Sequence, residues 1–465
     1  MRDELVRKRS SLSPLPQPFL RCCSRRVRPH RSSSRPHLEP CTVAGAKARC
    51  GTFDVRESAL SRRTLPLKVI VLPATMHNES PVFVFNGGPG QPTTAGVDIE
   101  VTIFERERRL HDVVLVDQRG TGQSAPLVCP SAMKQHEREL VEGELFPDAF
   151  IADCRKEIEE HANPAHYTIP YFLEDVEQLR NALGYKRINI VALSYGTRSA
   201  LMFLERYSTS VRSILLIGPL PPEWVPPVSF VRHGQAALDR LIADSKATFP
   251  NFARDINSIG PWPVTIDSGG YHITMTRGAF AEFIRSSMMN VAGQSRVPLM
   301  IHRAAEGDWL SIAPLFIRYR KGWYDDIGPF LSITCPTDVR WIDADEIPAA
   351  TAGTFFGDYR VRRQVAACNL WTGGRAARPS ASTSSVPILI TTGEVDPVTP
   401  PHAAESVARA LGHARTIVFA NSGHVEANRC AIDLEVAFFD AGSFEHLDDS
   451  CAKALKRPPF ATKLP

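Results

Sequence analysis

The sequence predicts an α/β fold with a mostly parallel central sheet, helices on both faces and an inserted, mainly helical segment. Two observations lead to this prediction. From about Leu65, short apolar runs alternate with helix-like segments, which is typical of a sheet covered by helices on both faces. Between Trp224 and about Ser385, strand-like runs become sparse and helical spacings rich in Arg, Met and aromatic residues replace them.

Seven apolar runs are the strand candidates, at residues 67–71, 82–85, 113–117, 188–193, 214–217, 388–392 and 416–419. Most are continuous rather than alternating, as expected for strands buried on both faces. Between the third and fourth runs, Tyr171 to Leu183 has helical spacing, and Gly184 is placed to end that helix. The alternation of strand and helix supports the parallel sheet.

These patterns divide the chain into four parts. Residues 1–40 form a basic extension, 41–224 the first core segment, 225–385 a helical cap insertion, and 386–465 the second core segment. The extension holds ten Arg or Lys against Asp3, Glu4 and Glu39, and its low hydrophobic content predicts disorder. The rest is nearly neutral, so we expect no nucleic-acid partner. Apolar runs such as 113–116 are too short to span a membrane.

Cysteine usage points to disulfides. Eight of the ten cysteines lie after the basic extension, and none forms a C-x-x-C pair or a Cys/His cluster at zinc spacing. Short loops favour partners that are close in sequence, which predicts Cys41–Cys50, Cys129–Cys154, Cys335–Cys368 and Cys430–Cys451. Such bridges persist in an oxidising compartment, yet the extension lacks the apolar core of a secretory signal. We expect an extracytoplasmic protein, with a cytoplasmic location as the alternative.

Ser194 is the candidate nucleophile. It follows the apolar run 188–193, and Gly196 and a helix-like segment follow it. A small residue two positions before the serine and a glycine two after allow a sharp turn from strand into helix that exposes the hydroxyl. Ser258 and Ser268 also have glycine two residues later, but neither ends a clear strand.

A serine nucleophile needs an imidazole base that is oriented by a carboxylate. Asp396 and His424 both follow predicted strands, and sites in parallel sheets form beyond the carboxyl ends of strands. Their order after Ser194 fits the α/β-hydrolase arrangement. Glu394 is the rival acid, while His402 and His413 are less well placed as the base.

A glycine-rich segment, Asn86-Gly-Gly-Pro-Gly90, follows another strand candidate. The negative oxygen formed during acyl transfer needs N–H donors that are already in place. We expect one donor from Gly88 and the other from Tyr195. The segment lacks the Lys-Ser/Thr or G-x-G-x-x-G frame of a phosphate site. The motifs as a whole imply no metal, nucleotide or flavin cofactor.

Together these motifs resemble the proline iminopeptidase and tripeptidyl aminopeptidase family of α/β-hydrolase serine peptidases. The motifs that carry the resemblance are Asn86-Gly-Gly-Pro-Gly90, Asp117-Gln-Arg-Gly-Thr-Gly-Gln-Ser124, Ala192-Leu-Ser-Tyr-Gly196, Gly393-Glu-Val-Asp396-Pro-Val-Thr399 and Gly423-His424. The stretch from Cys430 to Cys451 resembles the exported tripeptidyl aminopeptidase subgroup, with a TAP-like C-terminal part. Family members usually have His in place of Asn86 and Gly in place of Ala192. The resemblance implies structural roles for Asp117, Arg119 and Ser124.

Two functions fit these residues. The first is an exopeptidase that removes residues from free peptide N-termini through an acyl-enzyme on Ser194, and the second is a carboxylesterase that uses the same triad on small esters. A carboxylate in or beside the insertion would favour the peptidase, because it could receive the substrate's ammonium. Glu223, Glu306 and Asp308 are the candidates. The expected partner is a peptide or small ester substrate, and the sequence leaves the residue specificity, the number of residues released and the oligomeric state open.

Overall fold

The structure of the chain is a computed structural model that describes residues 35–76, 80–371, 373–380, 383–425 and 427–464. Most of the predicted basic extension therefore lies outside the described residues. The strands are β1 (His37–Val43), β2 (Ala46–Arg56), β3 (Thr64–Leu72), β4 (Val82–Phe85), β5 (Val113–Val116), β6 (Ile188–Leu193), β7 (Val211–Ile217), β8 (Val264–Ser268), β9 (Tyr271–Met275), β10 (Ile388–Gly393) and β11 (Ala414–Phe419).

Helices fill most of the segments between these strands. They are α1 (Val97–Ile103), α2 (Pro130–Gln135), α3 (Glu137–Glu142), α4 (Asp148–Glu159), α5 (Ile169–Ala182), α6 (Gly196–Tyr207), α7 (Val228–Ser245), α8 (Phe252–Ser258), α9 (Arg277–Ser287), α10 (Val291–Ala305), α11 (Ala313–Lys321), α12 (Ile327–Thr337), α13 (Glu346–Thr351), α14 (Tyr359–Leu370), α15 (Pro401–Leu411), α16 (Arg429–Ala441) and α17 (Ser450–Lys453).

Nine strands form one sheet in the order β1-β2-β3-β5-β4-β6-β7-β10-β11. The pairs from β5 to β11 are parallel, whereas β1, β2 and β3 add to the sheet in antiparallel fashion. The predicted mostly parallel sheet with helices is confirmed. All seven predicted strands are present, and β1 and β2 were not predicted.

The start of the sheet corrects one predicted boundary. The extension was expected to run to residue 40, but β1 already begins at His37 and pairs with β2. Ala44 and Gly45 join the two strands with φ of 46° and 80°. A two-residue turn with positive φ at both positions matches the twist of a hairpin. The Cys41–Cys50 disulfide links these two strands covalently.

The sheet is buried on both faces, which explains its continuous apolar runs. Within β5, Val114 and Val116 join the larger hydrophobic cluster, while Val113 and Leu115 join a second cluster on the opposite face. Because strand side chains alternate between faces, a strand covered on both sides needs apolar residues at every position. The sequence of β5 meets this requirement along its whole length.

The segment between β7 and β10 is mainly helical, as predicted for the insertion. It contains α7 to α14 and the hairpin β8–β9, which was not predicted from the sequence. The limits of 225 and 385 for a separate cap remain a prediction.

The described part of the chain contains four disulfides, and all four predicted pairings are confirmed: Cys41–Cys50, Cys129–Cys154, Cys335–Cys368 and Cys430–Cys451. Bridges of this kind persist in oxidising compartments. Among the described residues, no helix is both long and apolar enough to cross a bilayer.

Candidate active site

Ser194 lies in the tight turn between β6 and α6. Its φ of +51° is in the left-handed region, which non-glycine residues rarely adopt and which is concentrated at functional sites. The Ser194 N–H donates to the carbonyl of Ile217 at 2.8 Å, which fixes the turn against β7. A Cβ on Gly196 would lie 2.2 Å from the carbonyl oxygen of Phe85, so this position requires glycine. The turn is the predicted strand–turn–helix elbow.

The two departures from the family pattern are accommodated locally. Ala192 is fully buried in the hydrophobic core, so its extra methyl group packs against apolar neighbours. The side chain of Asn86 bridges the glycine-rich loop: its Oδ1 accepts from Gly87 N at 2.8 Å, and its Nδ2 donates to the Pro92 carbonyl at 3.3 Å. Asn86 therefore orders this loop through its own side chain.

His424 lies between Ser194 and Asp396. Its Nε2 is 2.7 Å from Ser194 Oγ, and its Nδ1 is 2.7 Å from Asp396 Oδ2. Asp396 is buried and also accepts from the backbone N–H groups of Val398 and Thr399 and from the Thr399 hydroxyl, at 2.7 to 2.8 Å. Burial alone would raise the pKa of Asp396, but His424 and these donors outweigh it and hold the pKa below its usual value. Asp396 therefore stays ionised and can orient the imidazole.

The rival residues are engaged elsewhere. Glu394 Oε2 accepts from Asn421 N at 2.9 Å and is partly exposed. His402 Nε2 lies 3.2 Å from His233 Nε2, and His413 Nδ1 lies 3.1 Å from a backbone carbonyl. The hydrogen-bond geometry therefore singles out Asp396 and His424 as the partners of Ser194.

Gly88 and Tyr195 both line the cavity beside Ser194. Tyr195 occupies the N-cap position of α6, where backbone N–H groups point outward and the helix dipole favours negative charge. In the glycine-rich loop, the Gly87 N–H is already bonded to Asn86, and a Cβ on Gly87 would lie 3.0 Å from Ser194 Cβ. Gly88 and Tyr195 remain the proposed oxyanion donors.

The helical insertion contacts this site directly. The backbone N–H of His424 donates to the carbonyl of Met289, which lies between α9 and α10, at 2.6 Å. At the end of α12, Asp338 Oδ2 accepts from the Tyr195 hydroxyl at 2.7 Å, and Asp338 also forms a fully buried ion pair with Arg198. The insertion therefore holds two of the residues next to the nucleophile.

The cavity that opens over Ser194 has a volume of about 660 Å³. Its wall combines the glycine-rich loop, the serine turn and residues of α9, α10, α11, α12 and α14. Asp326 is the acidic residue in this lining, and it was not among the residues predicted from the sequence. Burial, together with Asp325 and Asp117, raises its pKa to about 6. The adjacent pair Asp325-Asp326 just before α12 is the only sequence signal that we find for it.

The three carboxylates predicted from the sequence as candidates for substrate binding do not line this cavity. Glu223 is exposed and accepts from Ser406 Oγ at 2.7 Å. Glu306 and Asp308, at the end of α10, both pair with Arg303. The structure does not bring any of them to Ser194.

The Asp117–Ser124 motif has the structural contacts that the resemblance implied. Asp117 accepts from backbone and side-chain donors of nearby loops. Arg119 forms a buried two-point ion pair with Asp175, at 2.6 and 2.7 Å. Ser124 Oγ accepts from the Lys68 N–H at 2.8 Å, which ties the motif to β3. These contacts fix the loop after β5 rather than the reacting atoms.

Comparison with known proteins agrees with this geometry. A family model for the alpha/beta hydrolase fold matches residues 80–254, and a model for TAP-like proteins matches residues 353–451. YuaR of Escherichia coli is 32% identical over 159 residues, which cover 33% of this chain and 30% of YuaR. Serine protease Hip1 of Mycobacterium tuberculosis is 22% identical over 421 residues, covering 76% of this chain and 78% of Hip1. Tripeptidyl aminopeptidase of Streptomyces coelicolor is 27% identical over 259 residues, which cover 51% of this chain and 44% of that enzyme.

The sheet, the serine turn and the first of these matches show that the chain has the α/β-hydrolase fold. Within that class it resembles the proline iminopeptidase and tripeptidyl aminopeptidase family, and its C-terminal part is TAP-like. The expected resemblance is confirmed. The chain spans less than half the length of YuaR and of the tripeptidyl aminopeptidase that it matches.

Proposed function

We propose that the chain is a serine hydrolase that removes residues from free peptide N-termini, in the manner of a prolyl or tripeptidyl aminopeptidase. The observation that carries the proposal is the hydrogen-bonded chain from Asp396 through His424 to Ser194, with both links at 2.7 Å, beside a cavity that Ser194 and His424 line. Relatives named as peptidases support the same class.

In the proposed reaction, Ser194 Oγ attacks the substrate carbonyl carbon while His424 Nε2 takes its proton. The carbonyl oxygen becomes negative and is stabilised by the N–H groups of Gly88 and Tyr195. His424 then gives the proton to the leaving amine, which departs and leaves an acyl-enzyme. A water molecule attacks that ester with His424 as base, and Ser194 is regenerated.

Asp326 supports the preference for free N-termini. It contributes a carboxylate to the cavity wall, where an ammonium group of the substrate could pair with it. Because the pKa of Asp326 is raised to about 6, it is largely ionised at neutral pH and loses its charge below that value. Binding of ammonium substrates should therefore weaken as the pH falls through 6.

The test is a substrate panel of proline and tripeptide anilides, their N-acetylated counterparts and short acyl esters. We expect turnover of the free anilides and at least tenfold slower turnover of the acetylated ones. The Ser194→Ala variant should be inactive and unlabelled by a fluorophosphonate probe, with an unchanged melting temperature, while exposed Ser208→Ala serves as the matched control. Hydrolysis of esters alone would replace the peptidase by the carboxylesterase.

We also propose that the chain functions outside the cytoplasm, on the strength of its four disulfides. Alkylation of the protein unfolded in denaturant without reductant should label none of the eight cysteines from Cys41 to Cys451. Labelling of all eight in protein isolated from its natural compartment would contradict the proposal.

A further inference from the structure

One wall of the cavity carries a buried cluster of charged and polar side chains, away from the reacting atoms. Glu282 and Arg285 lie on α9, Tyr319 on α11 and Arg360 on α14. Arg285, Tyr319 and Arg360 line the same cavity as Ser194. The proposed reaction uses none of these side chains.

The charges in this cluster do not balance. Glu282 forms a two-point ion pair with Arg285, at 2.7 Å for each contact. Arg360 Nη1 lies 3.6 Å from Glu282 Oε1, which is too far for a hydrogen bond. Burial, together with Arg285, lowers the pKa of Arg360 despite the nearby Glu282. One carboxylate thus faces two guanidinium groups, which leaves about one positive charge at the cavity wall.

Two hydrogen-bond donors in this cluster are also unused. Among the described residues, neither Arg360 Nη1 nor the Tyr319 hydroxyl has a hydrogen-bond partner, although both atoms are buried. Buried donors are nearly always paired, so an unpaired buried donor in a cavity wall points to a ligand or to water. Both donors belong to residues that face the cavity.

The Arg360 side chain is held in a fixed position. Its Nε donates to Gln364 Oε1 at 3.2 Å, and Gln364 Nε2 donates to Thr334 Oγ1 at 3.2 Å. The guanidinium carbon lies 4.3 Å from the centre of the Trp323 ring. A cation that is stacked and hydrogen-bonded in this way is organised before any ligand arrives.

We propose that Arg360 and Tyr319 form a subsite that binds a carboxylate group of the substrate. A carboxylate carries one negative charge and two acceptor oxygens, which matches the single excess charge and the two unused donors. The carboxylate can come from an acidic side chain or from the C-terminus of a short peptide. The inference rests on the proposed hydrolysis at Ser194 and adds the class of substrate.

The experiment compares two matched pairs of peptides. The first pair differs only by Glu against Gln at one position, and the second only by a free C-terminal carboxylate against its amide. We expect the acidic member of one pair to have a kcat/KM at least about tenfold higher, because a hydrogen bond to a buried charge is involved. The pair that responds identifies the source of the carboxylate, and equal kcat/KM values in both pairs would overturn the proposal.

Variants of Tyr319 and Arg360 test whether these two side chains produce the preference for the acidic peptide. Tyr319→Phe keeps the ring and removes only the hydroxyl, so it should reduce the acid-to-neutral ratio several-fold, and Arg360→Met should abolish the preference. Arg318, an exposed arginine that lines the same cavity, provides the control Arg318→Met. If Arg318→Met lowered the ratio as much as Tyr319→Phe does, general positive charge and not this subsite would select the substrate, and the proposal would be wrong.

A binding measurement separates this inference from the proposed function. In the full-length Ser194→Ala variant, glutarate should raise the melting temperature and its diamide should not. Adding Tyr319→Phe should reduce the glutarate effect. If peptides are not cleaved but glutarate still stabilises the protein, the peptidase proposal fails while the subsite is supported. If glutarate and its diamide act alike, Arg360 serves only as a packed cation over Trp323, and the subsite is overturned.

Discussion

Replacing Asp396 by Asn tests the proposed triad at the residue whose surroundings are best defined. Two of its hydrogen bonds, from the N–H groups of Val398 and Thr399, end on Oδ1 and can be kept by the amide oxygen of Asn. The other oxygen, Oδ2, faces His424 Nδ1 at 2.7 Å. In the variant an NH₂ group takes this place, so a donor replaces an acceptor.

The imidazole must then change its tautomer. With a donor opposite Nδ1, His424 would accept at Nδ1 and carry its proton on Nε2. Nε2 lies 2.7 Å from Ser194 Oγ and could no longer take the serine proton. A wrong tautomer of this kind costs on the order of 10⁴ in kcat, or about 5 kcal/mol of transition-state stabilisation.

The assay is kcat and KM for a chromogenic substrate, with the melting temperature as a check on folding. We expect a large fall in kcat, little change in KM, and no comparable loss for Glu394→Gln. A loss below tenfold in Asp396→Asn, combined with a severe loss in Glu394→Gln, would refute the assignment of the acid.

Three further predictions concern the fold. Gly196→Ala should abolish soluble expression or activity, because its Cβ would lie 2.2 Å from the Phe85 carbonyl oxygen; normal expression and turnover would show that the serine turn can relax. Replacing Cys335 and Cys368 by Ala should lower the free energy of unfolding by about 3 to 4 kcal/mol in chemical denaturation, given a sequence separation of 33 residues; an unchanged midpoint would argue against this entropic contribution. Burial raises the pKa of Glu107 from 4.5 to about 7, so the folded chain retains a proton that the unfolded chain releases, and stability should fall as the pH rises between these values. Glu107→Gln should therefore melt higher than the wild type at pH 8 and similarly at pH 5, and an equal difference at both pH values would exclude this linkage.

Residues that follow the parallel strands could be predicted from the sequence. Ser194, Asp396 and His424 each come after an apolar run, and the topology of a parallel sheet brings the carboxyl ends of its strands to one edge. The disulfides were predictable for a similar reason, because partners close in sequence lose the least chain entropy when they pair. Both predictions needed only local patterns and a general rule.

The cavity wall could not be predicted in this way. Arg360 and Tyr319 meet there because α9, α11 and α14 pack together. The hydrophobic periodicity of a helix does not indicate which other helices of the insertion become its neighbours. For the same reason Glu223, Glu306 and Asp308 were plausible from their position along the chain but face other surroundings. The hairpin of β1 and β2 was missed because its turn, Ala44-Gly45, is not one of the strong hairpin sequences.

The four disulfides have one consequence for how the chain matures. Their loops span residues 41–50, 129–154, 335–368 and 430–451, and no loop contains or overlaps another. Among these eight, the first, third, fifth and seventh cysteines therefore each pair with the next one along the chain. When a chain enters an oxidising compartment from its N-terminus, pairing these eight cysteines in order of arrival yields the native set, so none of these bridges has to wait for a distant partner.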